Sequence, residues 1–241
     1  SISQAVQGDY CADTATMVLT VAKKSITVNG ITADDKEYDS TTSVVLNSGS
    51  ISYNGGIING DDVTSTFTGV FSNEHVGTGI TVNLTGSSSG ADIGNYSITY
   101  QLSTTASITA KDVTIFGVTA SDKEYDGNTT ATIDKSSMSL IGVISGDDFT
   151  KENTTVTGAF STAGIGNNKT INLTYTYAGS DYLNYNITPQ TTTQASITAP
   201  TYHFTNAGAT GRLGPTQTQI NSTYASGPLN GNVSVADGIQ Y

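Results

Sequence analysis

Two phrases set the frame for everything this chain can become. "DDKEYDSTTSV" begins at Asp34 and "SDKEYDGNTTA" begins at Ser121. A charged, aromatic phrase written twice in a chain with only 12% charged residues marks a building block, because an active site is rarely duplicated in this way. The match extends well beyond the phrase. "KSITVNGITADDKEYDSTT" aligns with "KDVTIFGVTASDKEYDGNTT", "NGDDV" with "SGDDF", "FTGVFS" with "VTGAFS", and "ADIGNYSI" with "SDYLNYNI". Both units close on "ASITA". The predicted modules are residues 24–110 and 111–199, flanked by segment 1–23, expected as the terminal strand of a preceding module or a donor strand, and by segment 200–241, expected as an incomplete β/loop segment.

Within each module, short alternating runs such as "ITVNLTG", "KTINLTYTY" and "YSITYQL" place apolar side chains on one face with period two. No twelve-residue window carries the i, i+3, i+4, i+7 pattern of an amphipathic helix. Gly, Asn and Asp punctuate the runs every 8–12 residues. The expected fold is all-β: two tandem β-sandwich modules. "ASITAKDVTI" joins them without a Gly/Pro-rich linker, which predicts an elongated, stiff rod.

The formal charge of −11 comes without a basic stripe, which argues against nucleic-acid binding and disfavours simple electrostatic docking to anionic membranes. No apolar run is long enough to predict membrane insertion. A single cysteine, Cys11, permits no intrachain disulfide. The acidic, hydroxyl-rich composition suits an extracellular chain.

The repeated phrase reads first as structure. Lys36 and Tyr38, like Lys123 and Tyr125, share one strand face, and each Lys is placed to pair with Asp39 or Asp126, or with an Asp of "GDD". Asp39 and Asp126 enter turns, their carboxylates accepting a backbone N–H two residues on. Calcium is the competing reading. Asp61, Asp62, Asp147 and Asp148 supply hard oxygens, with Asp34, Asp35, Asp92 and Asp181 nearby, but no D-x-D-x-D-G loop occurs, and self-capped turns explain the same residues. No other cofactor is expected. An intramolecular isopeptide bond needs an early Lys, a late Asn or Asp, and a buried carboxylate to move protons. Lys24 with Asn95 and Lys111 with Asn184 are the candidates; the plainer reading has the Asn residues capping turns and the Lys residues solvated. Catalysis is not expected. His75 and His203 are the sole histidines, and the repeat counterpart of His75 is Gly164.

"DKEYDG", followed by "GDD", "NY(S/N)I" and "ITA", resembles the YDG repeats of large bacterial surface proteins, which are related to MBG-like, immunoglobulin-like modules strung along adhesins. The resemblance covers residues 24–199. It implies exposure at the cell surface and a stalk or adhesive role. Module 1 departs from the motif at Ser40, where module 2 has Gly127. "FTNAGATGRLGPTQTQINSTY", from Phe204, resembles the lead-in segment of secreted glycine-rich proteins.

Three non-enzymatic functions follow as expectations. The first is a stalk segment of an extracellular adhesin. The second is a filament subunit polymerising head-to-tail through its sheet edges, with residues 1–23 as the donated strand. In "TATMVLTVA" (14–22), Ala15, Met17, Leu19 and Val21 line one face. The third is a carbohydrate- or protein-binding module, for which the tyrosines of "YTYAGSDYLNY" (175–185) are the densest aromatic cluster.

Overall fold

The computed structural model describes residues 18–203 and 233–234, and the chain divides into two units, Ser1–Thr109 and Ala110–Tyr241. Among the described residues there is no α-helix; the elements are strands and two 3₁₀ turns, Ile93–Asn95 and Tyr182–Asn184.

Module 1 comprises β1 (Lys24–Asn29), β2 (Thr32–Ala33), β3 (Lys36–Glu37), β4 (Leu46–Asn47), β5 (Ser52–Asn54), β6 (Thr64–Phe71), β7 (Gly77–Ser89), β8 (Tyr96–Tyr100) and β9 (Ser103–Thr109). One sheet has the order β5-β1-β8 and the other β3-β9-β7-β6, with β2 and β4 forming a separate pair. Module 2 repeats the plan with β10 (Lys111–Phe116), β11 (Thr119–Ala120), β12 (Lys123–Glu124), β13 (Thr130–Ala131), β14 (Ile133–Asp134), β15 (Ser139–Ile141), β16 (Thr154–Phe160), β17 (Gly166–Tyr177), β18 (Tyr185–Thr188) and β19 (Thr192–Thr198). Its sheets are β15-β10-β18 and β12-β19-β17-β16-β13, and β11 pairs with β14.

Alternation decides which faces are buried. Ile26 and Val28 on β1, Val82 and Leu84 on β7, and Ala106 and Ile108 on β9 point into the core, while the residues between them face out or are half-buried. Val113, Ile115, Ile171, Ala195 and Ile197 repeat the pattern in module 2. Each buried Val, Leu or Ile among them contributes roughly 1.5–3 kcal/mol on leaving water. The sheets meet through specific contacts: Tyr100 of β8 packs edge-on against Phe67 of β6, with ring centroids 5.9 Å apart, and donates its hydroxyl to Ser88 of β7 at 2.9 Å.

Only residues 18–23 of the N-terminal segment are described. They form no strand, and Val18, Leu19 and Val21 are 84%, 79% and 86% exposed. β1, into which they run, pairs with β8 over Lys24–Val28 and with β5 over Thr27–Asn29. The rest of the expected strand 14–22, and Cys11, lie outside the described residues. In the C-terminal segment, Tyr202–His203 pairs in parallel with Val233–Ser234, and the stretch resembling a glycine-rich lead-in lies outside the described residues.

Candidate functional site

The "DKEYD" phrase connects the start of each module to its end. β3 runs parallel to β9, with Lys36 opposite Ile108 and Glu37 opposite Thr109; β12 meets β19 in the same way. The Tyr38 and Tyr125 amides extend these pairings, each donating to the carbonyl of Thr109 or Thr198 at 2.9 Å. The preceding aspartates add a side-chain rung: Asp35 accepts the Ser107 amide at 2.5 Å, and Asp122 accepts the Ser196 amide at 2.6 Å.

Each lysine then folds back over the turn that follows it. Lys36 Nζ donates to Asp39 Oδ1 at 2.6 Å and to the Thr41 carbonyl at 2.7 Å, and lies 5.5 Å from the centre of the Phe71 ring. Lys123 pairs with Asp126 at 2.7 Å, donates to the carbonyls of Asn128 and Thr130, and lies 5.7 Å from the Phe160 ring centre. Asp39 accepts the Thr41 amide at 3.0 Å and Asp126 the Asn128 amide at 3.1 Å, which closes an Asx turn in both modules. Burial pushes the Asp39 carboxyl up, but the bonds from Lys36 and Thr41 outweigh it and hold the group below the usual carboxylate range. Asp126 is lowered too, first by Lys123 and then by the Asn128 amide. The tyrosines differ between modules: Tyr38 is 1% exposed and Tyr125 37%.

The turn residue between these groups explains the departure from the family motif. Ser40 has φ +60° and Gly127 has φ +79°, both left-handed. A Cβ on Gly127 would meet nothing within 4 Å, so the glycine serves backbone conformation and fills no steric role.

"GDD" forms a second brace. Tyr96 donates its hydroxyl to Asp61 at 2.6 Å and accepts the Ile58 amide at 2.8 Å; Tyr185 does the same with Asp147 and Ile144, at 2.6 and 2.9 Å. Asp62 accepts the Ala91 amide, while its own amide donates to Asp92. Asp148 receives Asn153 and Ser180, and its amide donates to Asp181. Gly90 and Gly179 pass over this brace at φ +131° and +108°, where any Cβ would collide with the carbonyl of Asp62 or Asp148.

A third brace was missed by the sequence reading. The Gln101 side chain accepts the Ile31 amide at 3.0 Å and donates to the carbonyls of Ile31 at 2.8 Å and Ser103 at 2.9 Å. Gln190 makes the same three bonds with Val118 and Thr192. Recurrence at matching repeat positions was the available clue, but a lone Gln has no local grammar that predicts a partner 70 residues away.

The residues weighed for chemistry fall into these braces or stand apart. The candidate calcium ligands Asp61, Asp62, Asp147 and Asp148 are engaged as described, and among the described residues no three His, Cys, Asp or Glu side chains group so as to hold a metal. Register sets Lys24 opposite Tyr96, one residue past Asn95, and Lys111 opposite Tyr185, one past Asn184. Lys24 and Asn95 are exposed, whereas Asn184 is buried and Lys111 half-buried. Gly86–Gly90 reads "GSSSG", formally the spacing of a nucleophile elbow. Ser88 nevertheless sits within β7, bonded to Ser65 and Tyr100, with no strand-to-helix turn around it. The tyrosine-rich stretch of module 2 packs on itself: Phe149 touches Tyr177, Tyr182 and Tyr185, and Tyr175 stacks on Tyr177 at 6.1 Å.

Two modules of one plan, each all-β and each held by three polar braces, define a tandem structural repeat. The chain belongs to the YDG domain family, whose model matches residues 22–106 and 109–195. Neither the curated proteins nor the solved structures contain a match to it.

Proposed function

We propose that this chain is a non-enzymatic structural segment of a bacterial protein carried outside the cell, a stalk of an adhesin or surface fibre. The observation that carries the reading is the bracing, made twice with the same residue types: Asp35, Lys36, Asp39, Gln101 and Asp61 spend their polar groups on their own module, as do Asp122, Lys123, Asp126, Gln190 and Asp147. A tandem pair of YDG domains and a net charge of −11 fit a repetitive, solvated spacer. The test is antibody labelling of intact and permeabilised host cells. Labelling of intact cells supports the reading, and labelling only after permeabilisation overturns it.

A second reading, a filament subunit that polymerises by strand donation, is favoured by one observation. Val18, Leu19 and Val21 precede β1 as exposed apolar residues outside any ladder. Negative-stain electron microscopy separates the two: fibres that disappear on deletion of residues 1–23 support donation, and separate particles support the spacer.

A further inference from the structure

The first and last segments of each module lie side by side over their whole length. In module 1, β1 is parallel to β8 with Lys24 opposite Tyr96, and β3 is parallel to β9 with Lys36 opposite Ile108; the separation is 72 residues at both ends. In module 2, Lys111 lies opposite Tyr185 and Lys123 opposite Ile197, a constant 74 residues apart. The register therefore survives the passage of the last segment from one sheet to the other.

The gap between the two strand pairs is bridged at its two edges. The Gln101 amide donates to the Val28 carbonyl at 2.9 Å, the Gln101 side chain holds both backbone groups of Ile31, and Asp35 takes the Ser107 amide. At the crossover the Leu102 carbonyl faces away from the first track and accepts the Leu84 amide of β7 at 2.9 Å, which ties the last track to the second sheet. Gln190, Asp122 and the Thr191 carbonyl do the same in module 2. Two parallel tracks of fourteen residues, 24–37 and 96–109, are thus bonded at both ends and at Ile31 and Asp35 between them, while Thr32 and Ala33 pair with β4, over roughly 45 Å at strand rise.

We infer that this ladder is a shear clamp that makes each module resist tension along the chain. Because the tracks are parallel, the chain enters a module at one end of the ladder and leaves at the other. Pulling the ends apart slides one track along the other and loads every rung together. Pulling at two points on the same end opens the rungs one after another, each net of only about 1 kcal/mol. The use of the clamp rests on the spacer reading; its existence rests on the ladder alone. Asp35, Asp122, Gln101 and Gln190 then act as side-chain rungs where the backbone pairing is interrupted.

Single-molecule force spectroscopy on the full chain tests this. In a Cys11→Ser background, one preparation carries handles at the two termini, and a second carries the N-terminal handle and another at Ser97→Cys, an exposed site at the entry end of the ladder. The expected result is that module 1 yields at a several-fold lower force in the second geometry. Equal forces overturn the clamp and leave the spacer reading to its own labelling test. Gln101→Leu should lower the end-to-end force of one unfolding event and spare the other. If that variant leaves only one event, the same comparison is made with Asp35→Ala, which removes the acceptor of the Ser107 amide, and an unchanged pair of forces counts against the clamp.

Discussion

The ring of Tyr100 lies over Gly86, so that a Cβ on the glycine would come within 2.6 Å of Tyr100 Cγ. At the matching positions of module 2 stand Pro189 and Tyr175. The large ring is thus supplied by β8 in one module and by β17 in the other. Gly86→Ala should destabilise module 1 by about 1–3 kcal/mol through overpacking. The same substitution in a Tyr100→Ala background should cost far less, and a double-mutant cycle by urea denaturation measures the coupling. Additive effects would mean that the ring does not occupy that space.

Ser40 adopts a left-handed conformation that costs a residue with a Cβ about 1–2 kcal/mol. Ser40→Gly should therefore stabilise module 1 by up to about 1 kcal/mol after the added freedom of the unfolded chain is counted. Gly127→Ala should destabilise module 2 by a similar amount. Thermal unfolding with two resolved transitions would report both.

Gln101→Leu strips three hydrogen bonds and leaves the part-buried N–H and carbonyl of Ile31 without that partner. A loss of about 2–4 kcal/mol is expected, well above that of an exposed polar substitution. Hydrogen exchange should show the Ile31 amide as the most deprotected site, together with its neighbours along the ladder.

Stability should fall in acid. Asp39, Asp126 and Asp134 are all held below the usual carboxylate range: Asp39 against a burial effect that works the other way, Asp126 chiefly by Lys123, and Asp134 by the Ser136 amide and hydroxyl. A carboxyl lowered in the folded state contributes stability above its unfolded pKa and loses it as the pH falls through the folded one. The urea midpoint should hold from neutrality to about pH 4 and drop below it. Asp39→Asn should start lower and drop less.

At high pH the slope reverses, because the group is a tyrosine whose folded pKa is raised. Burial, with a smaller effect from Tyr177, pushes the Tyr175 hydroxyl up to about 12. Unfolded chains ionise their tyrosines near pH 10, so between about 10 and 12 the unfolded state releases a proton that the folded state keeps, and stability falls as the pH rises. The Tyr175 hydroxyl is also buried without a hydrogen-bond partner among the described residues. Tyr175→Phe should remove both effects, raising stability by about 1 kcal/mol at neutral pH and flattening the alkaline loss. Ultraviolet phenolate titration of the two proteins checks the assignment.

What could be read from the residues was what physics enforces locally. Alternation of Ile26 and Val28, or Ala106 and Ile108, follows from a side-chain period of two and needs no partner strand. The turns at Asp39 and Asp126 need only a carboxylate and an N–H two residues on, and the repeat itself is visible as text. Tertiary structure decided what depends on contacts 70 or more residues apart: the parallel register of Lys36 with Ile108, the amide brace of Gln101, and the choice of Tyr100 or Tyr175 to fill one space. No local preference encodes such pairings, because a strand carries the same alternation whichever neighbour it meets. The neighbour is chosen only when loop closure, burial and hydrogen-bond satisfaction are met together across the module.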